Sequence, residues 1–204
     1  MSEEKELIKN AAEGEAALED DFSLFDEFLE WVEAFVVALF VVVLVFIFIL
    51  RVVEVSGPSM NSTLTDKDRI IVTHLNYTPE REDIVVFNSE GLNKCLIKRV
   101  IGVAGDTVVV NYDNDTVMVN GQYYDQSYIN EADMRVQSIF DDTYRTGENE
   151  YTYVVPEGCV FTMGDNRNHS TDSRAKAVGF VKVEDLLGKA IFRFLPFSGF
   201  GSLN

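Results

Sequence analysis

Hydrophobic and polar positions divide the chain into three stretches with different periods. Met1–Glu33 is polar and acidic, with Lys5 and Lys9 as its only basic residues. Its apolar residues Leu7, Ala11, Leu18 and Phe22 are spaced too irregularly for an amphipathic helix, so residues 1–33 read as a flexible acidic arm. Ala34–Leu50 then runs without a charge, a glycine or a proline. With Trp31 and Val32 it approaches the ~20 residues that cross a bilayer, and predicts a transmembrane helix over 34–50. A cleavable signal peptide would start basic and end on small residues, whereas this run follows acidic residues and meets Arg51 directly.

From Asp68 on, short apolar runs alternate with turn residues. They predict strands at Arg69–Thr73, Ile84–Phe87, Leu96–Val103, Thr107–Asn111, Thr116–Val119, Tyr151–Val155, Val160–Met163 and Ala190–Phe194. Enrichment in Val, Ile, Phe and Tyr favours strand over helix. Asn120-Gly121 between two such runs is a tight-hairpin signal, because both central positions need positive φ. Val183–Leu187 allows one helical turn, and the polar stretch Gln126–Asn149 reads as a long loop or peripheral hairpin. The fold class is therefore mainly β, a barrel-like domain of folded-over antiparallel sheets behind one N-terminal transmembrane helix.

Composition narrows the partners. The chain has 204 residues and a formal net charge of -17, with no cluster of Lys and Arg to neutralise phosphates, so no nucleic-acid partner is expected. Cys95 and Cys159 fit no metal-ligand spacing, and whether they form a bridge stays open.

Three places could carry chemistry. Val55-Ser56-Gly57-Pro58-Ser59-Met60 is a Gly/Pro turn that can lift Ser59 and its backbone N–H out of regular structure, or can simply join the helix to the domain. A serine needs a base, and His74, His169 and a lysine are candidates. Lys98 stands inside the apolar run Cys95–Val103; in a strand, Lys98 and Arg99 point to opposite faces. Burial there would lower an amine that is otherwise protonated at neutral pH, while snorkelling to solvent would leave it ordinary. The third place, Gly164–Arg174, is dense in hydroxyls, carboxylates and arginines and follows a core strand. Asp–Arg pairing can brace such a loop, whereas arginines between the carboxylates make it a poor cation cage.

In order and spacing, these segments resemble the type I signal peptidases, membrane-anchored Ser/Lys enzymes, in the Gram-positive-like branch. Val55–Leu64 resembles the nucleophile box, Asp68–Val72 and Arg81–Phe87 two strand boxes, Lys98–Asp106 the general-base box, and Gly164–Arg174 the terminal box. Ser62 and Ala104 stand where the family usually has proline, and Gly57 where other members carry an oxyanion-hole serine.

The resemblance implies a Ser/Lys peptidase domain over 51–204, with Ser59 as nucleophile and Lys98 as general base. It further implies that Ser170 orients the lysine amine and that Asp165, Asp172 and Arg174 form the ionic framework. The oxyanion would rest on the Ser59 N–H and a backbone group near Gly57, with Met60, Leu64 and Ile97 walling the substrate pockets. Substrates would be preproteins with small residues at the first and third positions before the cut, and the lipid bilayer is the other partner. No metal or cofactor is implied. The family topology puts the N-terminus in the cytoplasm and the β domain outside, while Lys/Arg counting puts the β domain inside. Competing functions are a self-cleaving Ser/Lys repressor, opposed by the acidic arm and the apolar run, and a catalytically silent membrane-tethered binding module.

Overall fold

The computed structural model describes residues 25–45, 50–73, 77–129, 134–135, 137 and 139–203. Helix α1, Phe25–Val45, starts well before the predicted apolar boundary at Ala34. Its added turns hold Asp26, Glu27, Glu30 and Glu33, of which Asp26 and Glu27 lie in the first turn, where carboxylates are favourable, and neither Gly nor Pro interrupts it. Its 21 residues span about 31 Å, close to a bilayer's hydrocarbon thickness. Phe28, Trp31, Phe35 and Phe40 stand exposed, as on a helix with an apolar surround. The apolar run does not stay helical to its end, because Leu50 opens strand β1, Leu50–Glu54. Most of the acidic arm and His74 lie outside the described residues.

The chain divides into two compact units, residues 1–48 and 49–204. The second holds two antiparallel sheets built from β1, β2 (Arg69–Thr73), β3 (Ile84–Ser89), β4 (Lys94–Gly102), β5 (Thr107–Asn111), β6 (Thr116–Val119), β7 (Gln122–Tyr123), β8 (Glu150–Val154), β9 (Cys159–Met163), β10 (Val181–Lys182), β11 (Leu186–Leu195) and β12 (Gly201–Ser202). The larger runs β1-β2-β11-β3-β4-β9-β10 with β12 beside β11, and the smaller runs β7-β6-β5-β8. The expected mainly β fold of antiparallel sheets is the one observed. Asn120 and Gly121 both adopt positive φ between β6 and β7, the turn that their sequence demands. Val183–Asp185 forms a single 3-10 turn.

β3 reads as a continuous apolar run because both of its faces are covered. Ile84 and Val86 join a core with Val55, Met60, Leu64, Ile70, Val72 and Ala190, while Val85 and Phe87 join Leu96, Val100, Val160 and Val181 on the opposite side. The first of these cores positions the Ser59 turn, since buried Met60 plugs it; burying such a side chain stabilises by about 2 kcal/mol. A third core of Val108, Val110, Val117, Tyr151, Tyr153 and Phe161 fills the smaller sheet.

Candidate active site

β4 pairs with β3 along Lys94–Arg99, but with β9 only from Arg99 on. Its edge over Cys95–Lys98 is therefore uncovered, and there it shares a cleft of about 100 Å³ with the end of β1 and the Ser59 turn. Val53, Val55, Ser59, Met60, Ile97 and Lys98 are among its walls. Leu64, expected as a wall, is instead fully buried in the core behind Met60.

Turns of backbone hydrogen bonding hold Pro58–Leu64, with Asn61 N–H donating to Pro58 O and Leu64 N–H to Met60 O. Gly57 enters this turn at φ +89°, where a side chain would be strained, so the serine of other family members does not suit this backbone. Its N–H donates to Asp66 Oδ1 at 2.8 Å, so this backbone donor is already engaged. The Ser59 N–H makes no hydrogen bond among the described residues. Ser62 also lies at φ +89°, a conformation closed to proline, so the proline usual at this position does not suit this backbone.

Lys98 is 2% exposed, and its Nζ donates to Ser59 Oγ at 2.8 Å and to Ile97 O at 2.8 Å. Burial lowers the amine from its ordinary 10.5 to about 8, only partly opposed by the nearby Asp172 carboxylate. Arg99 does point away from Lys98, yet it is buried too, because β4 is central and packed on both faces. Its guanidinium grips Asp165 in two-point fashion at 3.0 and 2.7 Å and also donates to Glu82 O and Thr63 Oγ1. Sequence alone places Asp165 in the loop framework without revealing Arg99 as its partner.

Asp172 and Arg174 are fully buried and joined by two hydrogen bonds of 2.8 and 2.9 Å. Burial works against the Asp172 carboxylate, but the Arg174 charge, its hydrogen bonds and the Gly164 N–H outweigh it and hold the carboxyl below its ordinary value. Ser170 is buried and close enough to Asp172 to add to that lowering, although its Oγ reaches no partner in hydrogen-bond geometry. It makes no hydrogen bond to Lys98, whose second partner is the Ile97 carbonyl instead.

Two residues of the Gly164–Arg174 stretch that the sequence gives no individual role, Asn166 and Gly164, pin the nucleophile turn. Asn166 N–H donates to Ser59 O at 3.0 Å and its Nδ2 to Pro58 O at 3.1 Å, so one residue holds two successive carbonyls. At Gly164 an added Cβ would lie 2.2 Å from Ser170 Oγ and 2.5 Å from Ser59 O, so only glycine lets this loop approach the turn.

His169 lies in the same loop, and among the described residues it makes no hydrogen bond to Ser59 or Lys98. Cys95 and Cys159 are free thiols, Cys95 paired with Asn88 of β3 and Cys159 with Lys182 of β10. Among the described residues, no group of three His, Cys, Asp or Glu side chains is placed to hold a metal ion.

Comparison with known proteins places the chain in one family. The family model "Signal peptidase, peptidase S26" matches residues 28–195. Signal peptidase IB of Staphylococcus aureus is 37% identical over 182 residues, covering 85% of this chain and 93% of the relative. Signal peptidase I of Bacillus caldolyticus is 37% identical over 172 residues, covering 80% of this chain and 90% of the relative. A solved signal peptidase I from Enterococcus faecalis V583 is 33% identical and aligns with a TM-score of 0.42, over 55% of this chain and 97% of that one. The chain thus belongs to the signal peptidase family, peptidase S26.

Proposed function

We propose that this signal peptidase is a membrane-anchored serine endopeptidase in which Ser59 attacks the scissile carbonyl and Lys98 is its general base. The observation that carries the reading is a buried amine 2.8 Å from the Ser59 hydroxyl. An ammonium donates to that hydroxyl, whereas the neutral amine accepts its proton, and burial makes the neutral form accessible near neutral pH.

The proposed reaction has two halves. Ser59 Oγ adds to the carbonyl as Lys98 takes its proton, and the developing oxyanion is met by the Ser59 N–H. Lys98 then returns the proton to the leaving amine, the acyl-enzyme forms, and the same amine activates water for its release. Ser170 would support the loop at Gly164 and Asp172 rather than orient the amine through a direct hydrogen bond. The preprotein would lie extended against the open edge of β4, where backbone groups can pair with it and the shallow cleft admits only small side chains.

Activity is expected to rise with pH through a limb at about 8, as Lys98 loses its proton. His169→Ala should leave that limb in place. A limb near ~6.5 that disappears in His169→Ala would instead assign the base to histidine.

For topology, we propose a cytoplasmic N-terminus and an extracytoplasmic β domain. A long domain translocates largely regardless of its Lys and Arg, which weakens the opposite count. Protease added to intact spheroplasts should digest the β domain; digestion only after lysis would reverse the assignment.

A further inference from the structure

Beyond β7 the chain leaves the smaller sheet and crosses back towards the nucleophile turn as residues 124–129. The Tyr124 N–H donates to Val117 O and Gln126 Nε2 to Asp115 O, which tie the departing chain to its own sheet. At the far end, Tyr128 meets the candidate active site at three points. The Arg99 guanidinium lies over its ring at 4.3 Å from the centroid. Arg167 Nη2 donates to its hydroxyl at 3.4 Å, a long bond, and Arg167 Nη1 to Gln126 Oε1. Ser62 Oγ donates to its backbone carbonyl at 3.2 Å, an interaction set up by the left-handed backbone of Ser62.

The ring contact falls on an ion pair. Arg99 follows Lys98 on β4, and Asp165 precedes Asn166, the residue that holds the Pro58 and Ser59 carbonyls. The Arg99–Asp165 pair therefore joins the strand carrying the base to the loop gripping the nucleophile. β4, the Ser59 turn and the Gly164–Arg174 loop supply three sides of it, and the Tyr128 ring supplies another. An aromatic face attracts a guanidinium most strongly where water is excluded.

We propose that Tyr128 is a positioning residue for the Ser59–Lys98 pair, its ring covering the Arg99–Asp165 ion pair from the smaller sheet's side. The role rests on the assignment of Ser59 and Lys98 made above. Tyr128 touches neither reacting atom; it keeps water from Arg99 and limits movement of the strand and loop that Arg99 and Asp165 connect.

The test uses the full-length chain in detergent and a synthetic peptide spanning an Ala-X-Ala cleavage site, with wild type, Tyr128→Ala, Tyr128→Phe and Ser59→Ala side by side. Tyr128→Ala should lower kcat about 10- to 100-fold with KM within about twofold, because the reacting groups and not the peptide cleft are loosened. Tyr128→Phe keeps the ring over Arg99 and should stay within about threefold of wild type. The folded fraction, measured from the amplitude of the thermal unfolding transition, should match wild type in both tyrosine variants. The proposal fails if Tyr128→Ala turns over as wild type does, if Tyr128→Phe loses as much, or if a lost folded fraction accounts for the whole fall. Cleavage by Ser59→Ala at the wild-type rate would remove the nucleophile assignment itself, whereas a silent Ser59→Ala beside an unimpaired Tyr128→Ala removes only the role of Tyr128.

Discussion

Lys98→Met will abolish cleavage and stabilise the protein at neutral pH. Ser59→Ala and Lys98→Ala should likewise fall to background, by at least about 10⁴-fold, because each removes half of one proton-transfer unit and losses in such a unit do not add. Stability separates the two positions. Holding the amine at about 8 instead of 10.5 means that folding disfavours the ammonium, at about 1.4 kcal/mol for each pH unit and so about 3 kcal/mol in all. The unfolded chain binds that proton more tightly, so the penalty is full below about pH 8, shrinks as pH rises and is gone above 10.5. Methionine occupies similar volume with no charge to desolvate, and the gain at pH 7 should be up to about 3 kcal/mol, reduced by the lost bonds to Ser59 and Ile97. Chemical denaturation at pH 7 and pH 10.5 measures this directly. Wild-type cleavage by either Lys98 variant would dismiss the base, and a stability gain independent of pH would mean that burial does not depress the amine.

Asp172→Ala is expected to be the most damaging single change to the fold. Asp172 and Arg174 are both fully buried, and Asp172 also accepts from the Gly164 N–H at 2.9 Å. Removing the carboxylate leaves the guanidinium uncompensated, at a cost of about 3–5 kcal/mol. For a domain of this size that lowers Tm by roughly 10 °C, and cleavage falls because Gly164 loses its anchor beside Ser59. Because the folded carboxyl titrates below its ordinary value of 3.8, its contribution is full above that value and disappears as pH falls through the lower one. A double variant, Asp172→Leu with Arg174→Met, should recover part of the lost Tm by removing the stranded charge. A wild-type Tm in Asp172→Ala alone would show that the pair contributes little.

Much of the fold was legible because its signals are local. Arg69–Thr73, Thr107–Asn111 and Thr116–Val119 coincide with β2, β5 and β6, where β-branched residues alternate or run continuously between turn residues. β1 was hidden because Leu50 ends the same apolar run that forms α1, and nothing in its hydrophobicity marks the change of period. β10 and β12 are two residues each, too short to show any period.

The candidate site is legible in its residue types and not in its pairings. Lys98 in an apolar strand is visible in sequence, but Arg99 finds Asp165 across 66 residues, a partner that no local pattern selects. Tyr128 lies in a polar segment without periodicity, and its approach to Arg99 follows from the path of the smaller sheet. The requirement for glycine at 164 arises only when Ser59 and Ser170 are brought to either side of it.

The most direct test of the Ser59–Lys98 assignment is to observe the Lys98 amine itself. In ¹⁵Nζ-lysine NMR of the full chain in micelles, one resonance should be absent from Lys98→Met and should titrate with a midpoint at about 8, coincident with the acidic limb of kcat/KM. A Lys98 resonance that titrates near the ordinary 10.5, with the kinetic limb elsewhere, would contradict the account.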